Sequence, residues 1–280
     1  MKSIVLSAFA DEYADAFEEQ LKGLNQFGID FLEIRHVDKK NVSVLTKSEI
    51  LEVKSMLDHY GIRVSAVGSP LGKIPLDGNM EEHLETAKRI FDAATVWGAD
   101  YVRIFSFYPA EGRLITEQKN EVIEALSRLI VAAREFEISL CHENEAKIYG
   151  DVPSRCKEIL DYFDGELGCV FDMGNFVLEG VNPIDAYETL KDHISYFHIK
   201  DALSDGAIVP AGKGEAMIGE ILTKHRANAN CNFYASLEPH LQTFSGLNAL
   251  VGRSFQNPYQ YPDLQSAFTD AVKQFKGLME

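Results

Sequence analysis

The sequence predicts an α/β protein, a single (β/α)8 barrel over residues 1–280, on three observations. Eight short apolar runs, often announced by glycine, recur from end to end. Segments with helical period lie between them, and no Pro/Ser-rich linker or shift in composition divides the chain. Eight strand–helix units in 280 residues average 35 residues each, the spacing such a barrel requires.

The runs are Ser3–Phe9, Gly28–Arg35, Gly61–Pro70 and Gly98–Phe107, then Glu137–Asn144, Gly165–Asn175, Ile194–Asp201 and Cys231–Pro239. Each is mainly β-branched, aromatic or otherwise apolar, as expected of strands buried on both faces. Between the first and second runs, Ala14, Phe17, Leu21 and Leu24 share one helical face. Val122, Leu126, Leu129, Ala133 and Phe136 form the same stripe before the fifth run, and Leu264, Phe268, Val272 and Phe275 do so at the C-terminus. Helix-to-strand joins are short and pass through Gly28, Gly61 and Gly98. Strand-to-helix joins are longer, notably Ser69–Asn79, Asp201–Gly214 and Pro239–Tyr259. In a barrel the longer joins share the C-terminal face, where active sites are built. A doubly wound open sheet would carry a phosphate-binding GxGxxG after the first strand, and that position reads Phe9-Ala-Asp-Glu-Tyr.

Charge narrows the function. Twenty-seven Lys+Arg against 43 Asp+Glu leave a net charge of −16, which argues against a surface built for nucleic acid or anionic lipid. No apolar run approaches the roughly 20 residues of a membrane helix. The opening Met1-Lys-Ser-Ile-Val-Leu-Ser leads into acidic sequence, unlike a signal peptide. Cys141, Cys156, Cys169 and Cys231 form no CxxC pair and read as reduced core thiols of a cytoplasmic protein.

The second half carries the chemistry. Strand five ends in His-Glu143-Asn, strand six in Phe-Asp172-Met-Gly-Asn175, strand seven in His198-Ile-Lys200-Asp201, and strand eight in Leu-Glu238-Pro-His240. Neighbouring strand ends in a closed barrel stand about 5 Å apart, so four inward side chains can converge on one ion. Taken singly, each carboxylate reads as a helix N-cap, a turn or a solvated strand end. Falling at one height on four consecutive strands, Glu143, Asp172, His198 and Glu238 read as an oxygen-rich site with one imidazole. That set suits one divalent metal ion, Mn2+, Mg2+ or Co2+, with Zn2+ also open.

With these residues in place the chain resembles the xylose-isomerase-like TIM-barrel superfamily of sugar isomerases, epimerases and dehydratases. The resemblance spans nearly the whole chain and is carried by FLEIR (31–35), SPLGKI (69–74), YVRIFSF (101–107), HEN (142–144), FDMGN (171–175), HIKD (198–201) with AGKG (211–214), and SLEPH (236–240). It implies a divalent metal on Glu143, Asp172, His198 and Glu238, with Glu143 and Glu238 as proton acceptor and donor on opposite faces of a ketose. The implied partner is a small-molecule carbohydrate, with or without phosphate; relatives of this kind often form dimers or tetramers, so a homo-oligomer is open. Many ketose epimerases of the type have a His three residues after the strand-six Asp. Here Asn175 stands there, an amide that hydrogen-bonds but cannot titrate near neutrality.

Polarising a carbonyl and stabilising an enediolate serves epimerisation, aldose–ketose isomerisation and dehydration of a keto-inositol or keto-glycoside alike. An apurinic-site endonuclease would need more His ligands and a basic face, and a non-catalytic sugar-binding barrel would show a broken quartet. The substrate-binding candidates are Lys73, Arg103, Asn175, Lys200 and His240. Arg35 and Arg103 read equally as internal ion pairs with Glu33 or the metal carboxylates, since buried charges must be paired. Phe9, Phe105, Phe107 and Phe176 read as an apolar wall or as plain core.

Overall fold

The computed structural model describes residues 2–242 and 258–280. Eight parallel strands close into a barrel: β1 (Ile4–Ala8), β2 (Phe31–Ile34), β3 (Arg63–Gly68), β4 (Tyr101–Ile104), β5 (Ser139–Glu143), β6 (Leu167–Asp172), β7 (Ile194–Ile199) and β8 (Phe233–Leu237). Each strand pairs with its neighbours in sequence, and β8 closes on β1 with Ile4 opposite Phe233 and Ala8 opposite Leu237. The helices around it are α1 (Phe17–Phe27), α2 (Lys47–Tyr60), α3 (Met80–Trp97), α4 (Lys119–Arg134), α5 (Pro153–Phe163), α6 (Met173–Leu178), α7 (Pro183–Leu190), α8 (Ile218–Asn228) and α9 (Leu264–Met279).

The predicted helical stripes are buried against the outside of the barrel. Phe17, Leu21 and Leu24 of α1 are fully buried, as are Val122, Leu126 and Leu129 of α4. Each such side chain contributes about 1.5–3 kcal/mol of apolar burial. Ala14 precedes α1, and Phe136 lies past the end of α4, where Glu137 already takes a positive φ. Gly28, Gly61 and Gly98 take left-handed backbone (φ +64°, +69°, +69°), and each receives a helix end and turns the chain into the next strand. Thr46 caps α2 in a reciprocal box with Glu49.

The strands are four to six residues long, shorter than the apolar runs that contain them. Only the residues that ladder across the tilted, staggered barrel count as strand; the rest of each run either leads into the strand from the N-terminal end or, as with residues 105–107 and Asn144, continues as buried backbone at the mouth. The sixth run differs most, because β6 stops at Asp172 and Met173 begins α6. Ser69–Asn79 and Asp201–Gly214 are long joins on the mouth side; most of Pro239–Tyr259 lies outside the described residues. Inside the barrel, Ala66, Cys141, Val170 and Tyr196 form a small core of their own, packed by Tyr101 and Tyr234. This core is the floor beneath the candidate site. Among the described residues, no helix is long and apolar enough to cross a membrane.

Candidate metal centre

Alternation along each strand delivers the site. Two residues above the floor on the same inward face stand Arg103 on β4, Glu143 on β5, Asp172 on β6 and His198 on β7. Glu238 follows β8, where its N–H donates to the Ile199 carbonyl at 3.2 Å. One ligand atom from each of Glu143, Asp172, His198 and Glu238 lies within 4.8 Å of the others, and all four side chains are buried. The register that does this is direct: Asp172 pairs with His198 across β6–β7.

Asp172 holds two roles that seemed exclusive in the sequence. Its Oδ1 accepts from the Asn175 N–H at 2.9 Å and so caps α6, while Oδ2 faces Lys200 Nζ at 2.8 Å. The backbone beneath it is pinned by Asn144, whose side-chain amide donates to the Asp172 carbonyl (2.9 Å) and accepts from its N–H (3.0 Å).

His198 is oriented from below. Its Nε2 lies 3.1 Å from both carboxylate oxygens of Glu33, and Nδ1 faces Glu143 Oε1 at 3.1 Å and Glu238 Oε2 at 3.5 Å. Glu33 also accepts from the Tyr196 hydroxyl at 3.0 Å. A carboxylate on Nε2 leaves Nδ1 as the nitrogen that offers a lone pair to a cation among the other three ligands. Burial disfavours a charged imidazole, but Glu33 and Glu143 outweigh it and hold the His198 pKa well above its ordinary value.

Three buried cations balance the carboxylates. Arg103 Nη1 pairs with Glu143 Oε2 at 2.5 Å, its Nε donates to the Ser69 carbonyl at 3.2 Å, and the guanidinium lies 4.5 Å from the Phe105 ring centroid. Arg35 Nη1 pairs with Glu238 Oε1 at 2.8 Å, and its other nitrogens grip Asp11 (2.8 and 2.9 Å) and Glu12 (3.3 Å). Lys200 Nζ lies 2.8 Å from both Asp172 Oδ2 and Glu238 Oε2. Burial pushes the Glu143 carboxyl up, but His198 and Arg103 more than reverse this and hold it well below the carboxylate range. Burial likewise opposes ionisation of Glu238, and Lys200 and His240 overcome it. For Asp172, burial prevails: Lys200 pulls its pKa down, but burial with the charges of Glu143 and Glu238 leaves it raised.

The ion-pair reading of Arg35 and Arg103 therefore describes their contacts, with the quartet's own carboxylates as partners. The remaining candidates divide between centre and rim. Asn175 Nδ2 donates to the Asn144 carbonyl (2.9 Å) and lies 3.4 Å from Glu143 Oε1. Lys73 pairs with Glu145 at 3.2 Å and lies 4.2 Å from the Phe105 ring centroid. His240, at φ +48°, stands 3.5 Å from Glu12 and 3.6 Å from Glu238, and its N–H donates to Glu12. Phe9 packs edge-on against His198, with Arg35 4.3 Å from its centroid, while Phe107 and Phe176 join the core between barrel and helices.

Sequence reasoning missed Asp11, Glu12 and Asn144. Asp11 and Glu12 follow β1 directly, so a paired Asp-Glu just past a strand end was the available signal. Three carboxylates and one imidazole nitrogen, buried and convergent, fit a hard or borderline divalent cation.

Solved structures share the whole architecture. A D-allulose 3-epimerase from Methylomonas sp. superposes with a TM-score of 0.75 at 14% identity, covering 99% of each chain. A probable 3-DHS dehydratase involved in petrobactin synthesis, from Bacillus anthracis, gives 0.73 at 15% identity with 99% of each chain covered. A xylose isomerase-like TIM barrel protein from Mycobacterium smegmatis in complex with magnesium gives 0.70 at 18%, covering 100% of this chain and 97% of that one. At such identity the likeness carries the fold. No curated protein matches the chain in sequence. A family model for the xylose isomerase-like TIM barrel matches residues 21–227, more than half of the chain. Because that match runs from α1 into α8, the chain belongs to the xylose isomerase-like TIM barrel family.

Proposed function

We propose that the protein is a divalent-metal-dependent isomerase or epimerase of a ketose-type sugar or sugar phosphate, working through an enediolate with Glu143 and Glu238 as acid and base. The observation that carries this reading is the convergence of Glu143, Asp172, His198 and Glu238 within 4.8 Å at the C-terminal mouth of the barrel. D-allulose, the sugar in one neighbour's name, belongs to that substrate class.

Glu143, Asp172, His198 and Glu238 would hold the ion, which supplies electrophilic stabilisation of the negative charge that develops on the substrate oxygens. The protein's own residues move the protons. Glu143 is kept ionised by His198 and Arg103, so it stands in the form that accepts an α-proton; the same charges lower its basicity, which acidification of the substrate C–H by the ion would offset. Glu238 projects from the end of β8, on a different side of the centre from Glu143 on β5, is ion-paired to Arg35 and Lys200, and serves the opposite face of the substrate carbon. A proton given to the same carbon from the opposite face inverts it; delivery to the adjacent former carbonyl carbon, with the hydroxyl proton passing to the former carbonyl oxygen, isomerises the sugar. Arg103, Asn175, Lys200 and His240 would present donors to hydroxyl or carbonyl oxygens around the centre. Lys73 on the rim is the cation for a phosphate. Phe9 and Phe105 wall the apolar side.

The test is incubation of the metal-loaded protein with a panel of ketoses in D2O, followed by NMR. Deuterium at an α-carbon is the expected result, with an epimer or aldose as product. Loss of a β-hydroxyl would identify a dehydratase instead. Absence of exchange across free and phosphorylated ketoses would overturn the reading.

A further inference from the structure

Lys200 stands inside the quartet. Its Nζ lies 2.8 Å from Asp172 Oδ2, 2.8 Å from Glu238 Oε2 and 3.2 Å from Asn175 Oδ1. An ammonium has three N–H donors; Lys200 gives two of them as hydrogen bonds to Asp172 and Asn175, and Glu238 stands beside it as an ion-pair partner. The side chain is buried, 3% exposed.

A slot has been built for it. Gly174, between Asp172 and Asn175, lies against the Lys200 stem. A Cβ at that position would come within 2.8 Å of Lys200 Cγ and 2.9 Å of its Cβ. The absence of a side chain at residue 174 thus lets the stem pass under α6 and delivers the ammonium between two carboxylates that come from β6 and the end of β8.

An ammonium bridging Asp172 and Glu238 and a divalent ion held by the same two carboxylates oppose each other. Like charges a few Å apart in a buried site repel strongly, and the carboxylates cannot be neutralised twice. We infer that Lys200 is the internal counter-cation of the metal-free site: it neutralises Asp172 and Glu238 until the divalent ion enters, and leaves at least one of them when the ion binds. The inference rests on the metal reading above. It makes Lys200 a positioning residue that lowers the affinity for metal while keeping the empty, carboxylate-rich mouth folded.

The experiment compares wild type with Lys200→Met, which keeps length without charge, and Lys200→Arg, which keeps charge. Each protein is stripped with chelator, titrated with Mn2+ against a fluorescent chelator, and melted with and without Mn2+. The Met variant should bind Mn2+ at least about tenfold more tightly, as expected when a full charge is removed a few Å from a dication. Its metal-free Tm should fall, and Mn2+ should raise that Tm by more than in wild type. The Arg variant should bind no more tightly than wild type. A purely structural lysine would lower the Tm equally with and without metal. If the Met variant fails to fold, Lys200→Gln, neutral but still able to donate to both carboxylates, carries the same measurement. Unchanged or weaker Mn2+ binding in the neutral variants, with wild type still binding, overturns the inference and leaves the metal reading standing. No Mn2+ binding by any of the proteins overturns both.

Discussion

The barrel floor and the barrel mouth are built from the same strands, two residues apart. On β4 to β7 the floor positions are Tyr101, Cys141, Val170 and Tyr196, and the mouth positions directly above are Arg103, Glu143, Asp172 and His198. On β6 burial is the same: Val170 and Asp172 are both at 0%. The energetics are opposite. Below, Tyr101 stacks on Tyr196 with centroids 5.5 Å apart, and burial itself stabilises. Above, every group removed from water has to find a partner, and ion pairs of this kind roughly break even against apolar packing. The floor is there for stability. The charge cluster at the mouth contributes little to it.

Removing a ligand should separate the two layers most sharply. His198→Ala or Asp172→Ala should abolish stoichiometric metal binding, weakening it by more than about a hundredfold, because the other ligands remain as an unbalanced cluster. Elemental analysis of the purified variants checks this; metal retained at one per chain would remove the quartet from consideration.

Changing the proposed acid and base without shrinking them comes next. Glu143→Gln and Glu238→Gln should each lower turnover by about 10²–10⁴-fold. In a two-base arrangement one variant still exchanges the α-proton of one epimer with D2O, since only one face is disabled. If only one substitution abolishes exchange for both epimers, a single base does the work.

The floor should respond in stability alone. Val170→Ala deletes two methyl groups beneath Asp172 in a core where β6 has no room to collapse, and should cost about 1–3 kcal/mol by denaturant unfolding. Mn2+ affinity should be unchanged. A variant that loses metal as well as stability would mean that floor packing sets the ligand geometry, and the division into two layers would fail.

The difference between the layers also explains what was legible from sequence. Apolar runs and helical stripes follow from burial, which acts on residue types at fixed periods, so the eight strands and the α1, α4 and α9 faces could be read directly. The quartet was legible because its members fall at equivalent strand ends. Asp11 and Glu12 were not, since they sit in a short 3-10 turn with no period, and only closure of the barrel brings Asp11 and Glu238 to the same Arg35. Nor does sequence say that Arg103 would reach Glu143 or Lys200 reach Asp172, because partner choice among buried charges depends on side-chain reach across strands. Strand ends suffered for the same reason: the sixth run reads as strand through Asn175, yet β6 stops at Asp172, which also caps α6.

Glu33 joins the two layers, and its substitution is the gentlest test of the comparison. It takes the Tyr196 hydroxyl of the floor and both faces its carboxylate to Nε2 of His198, so it fixes the imidazole orientation without belonging to the quartet. Glu33→Gln keeps the shape and one acceptor oxygen. That oxygen can still receive either the tyrosine or the imidazole proton, while the new amide NH2 faces a donor and the hold on Nε2 weakens. Loss of such an outer partner lowers metal affinity by about tenfold at the mild end of its range. Folding stability should move by no more than about 1–2 kcal/mol, since one buried hydrogen bond is compromised rather than a cavity opened. The two readouts are a chelator competition for Mn2+ and a denaturant melt on the same preparation. A tenfold loss of affinity with little change in unfolding places Glu33 with the mouth. The reverse pattern, full metal affinity with a large loss of stability, would assign it to the floor and leave His198 to be oriented by Glu143, Glu238 and its ring contacts with Phe9 and Tyr196.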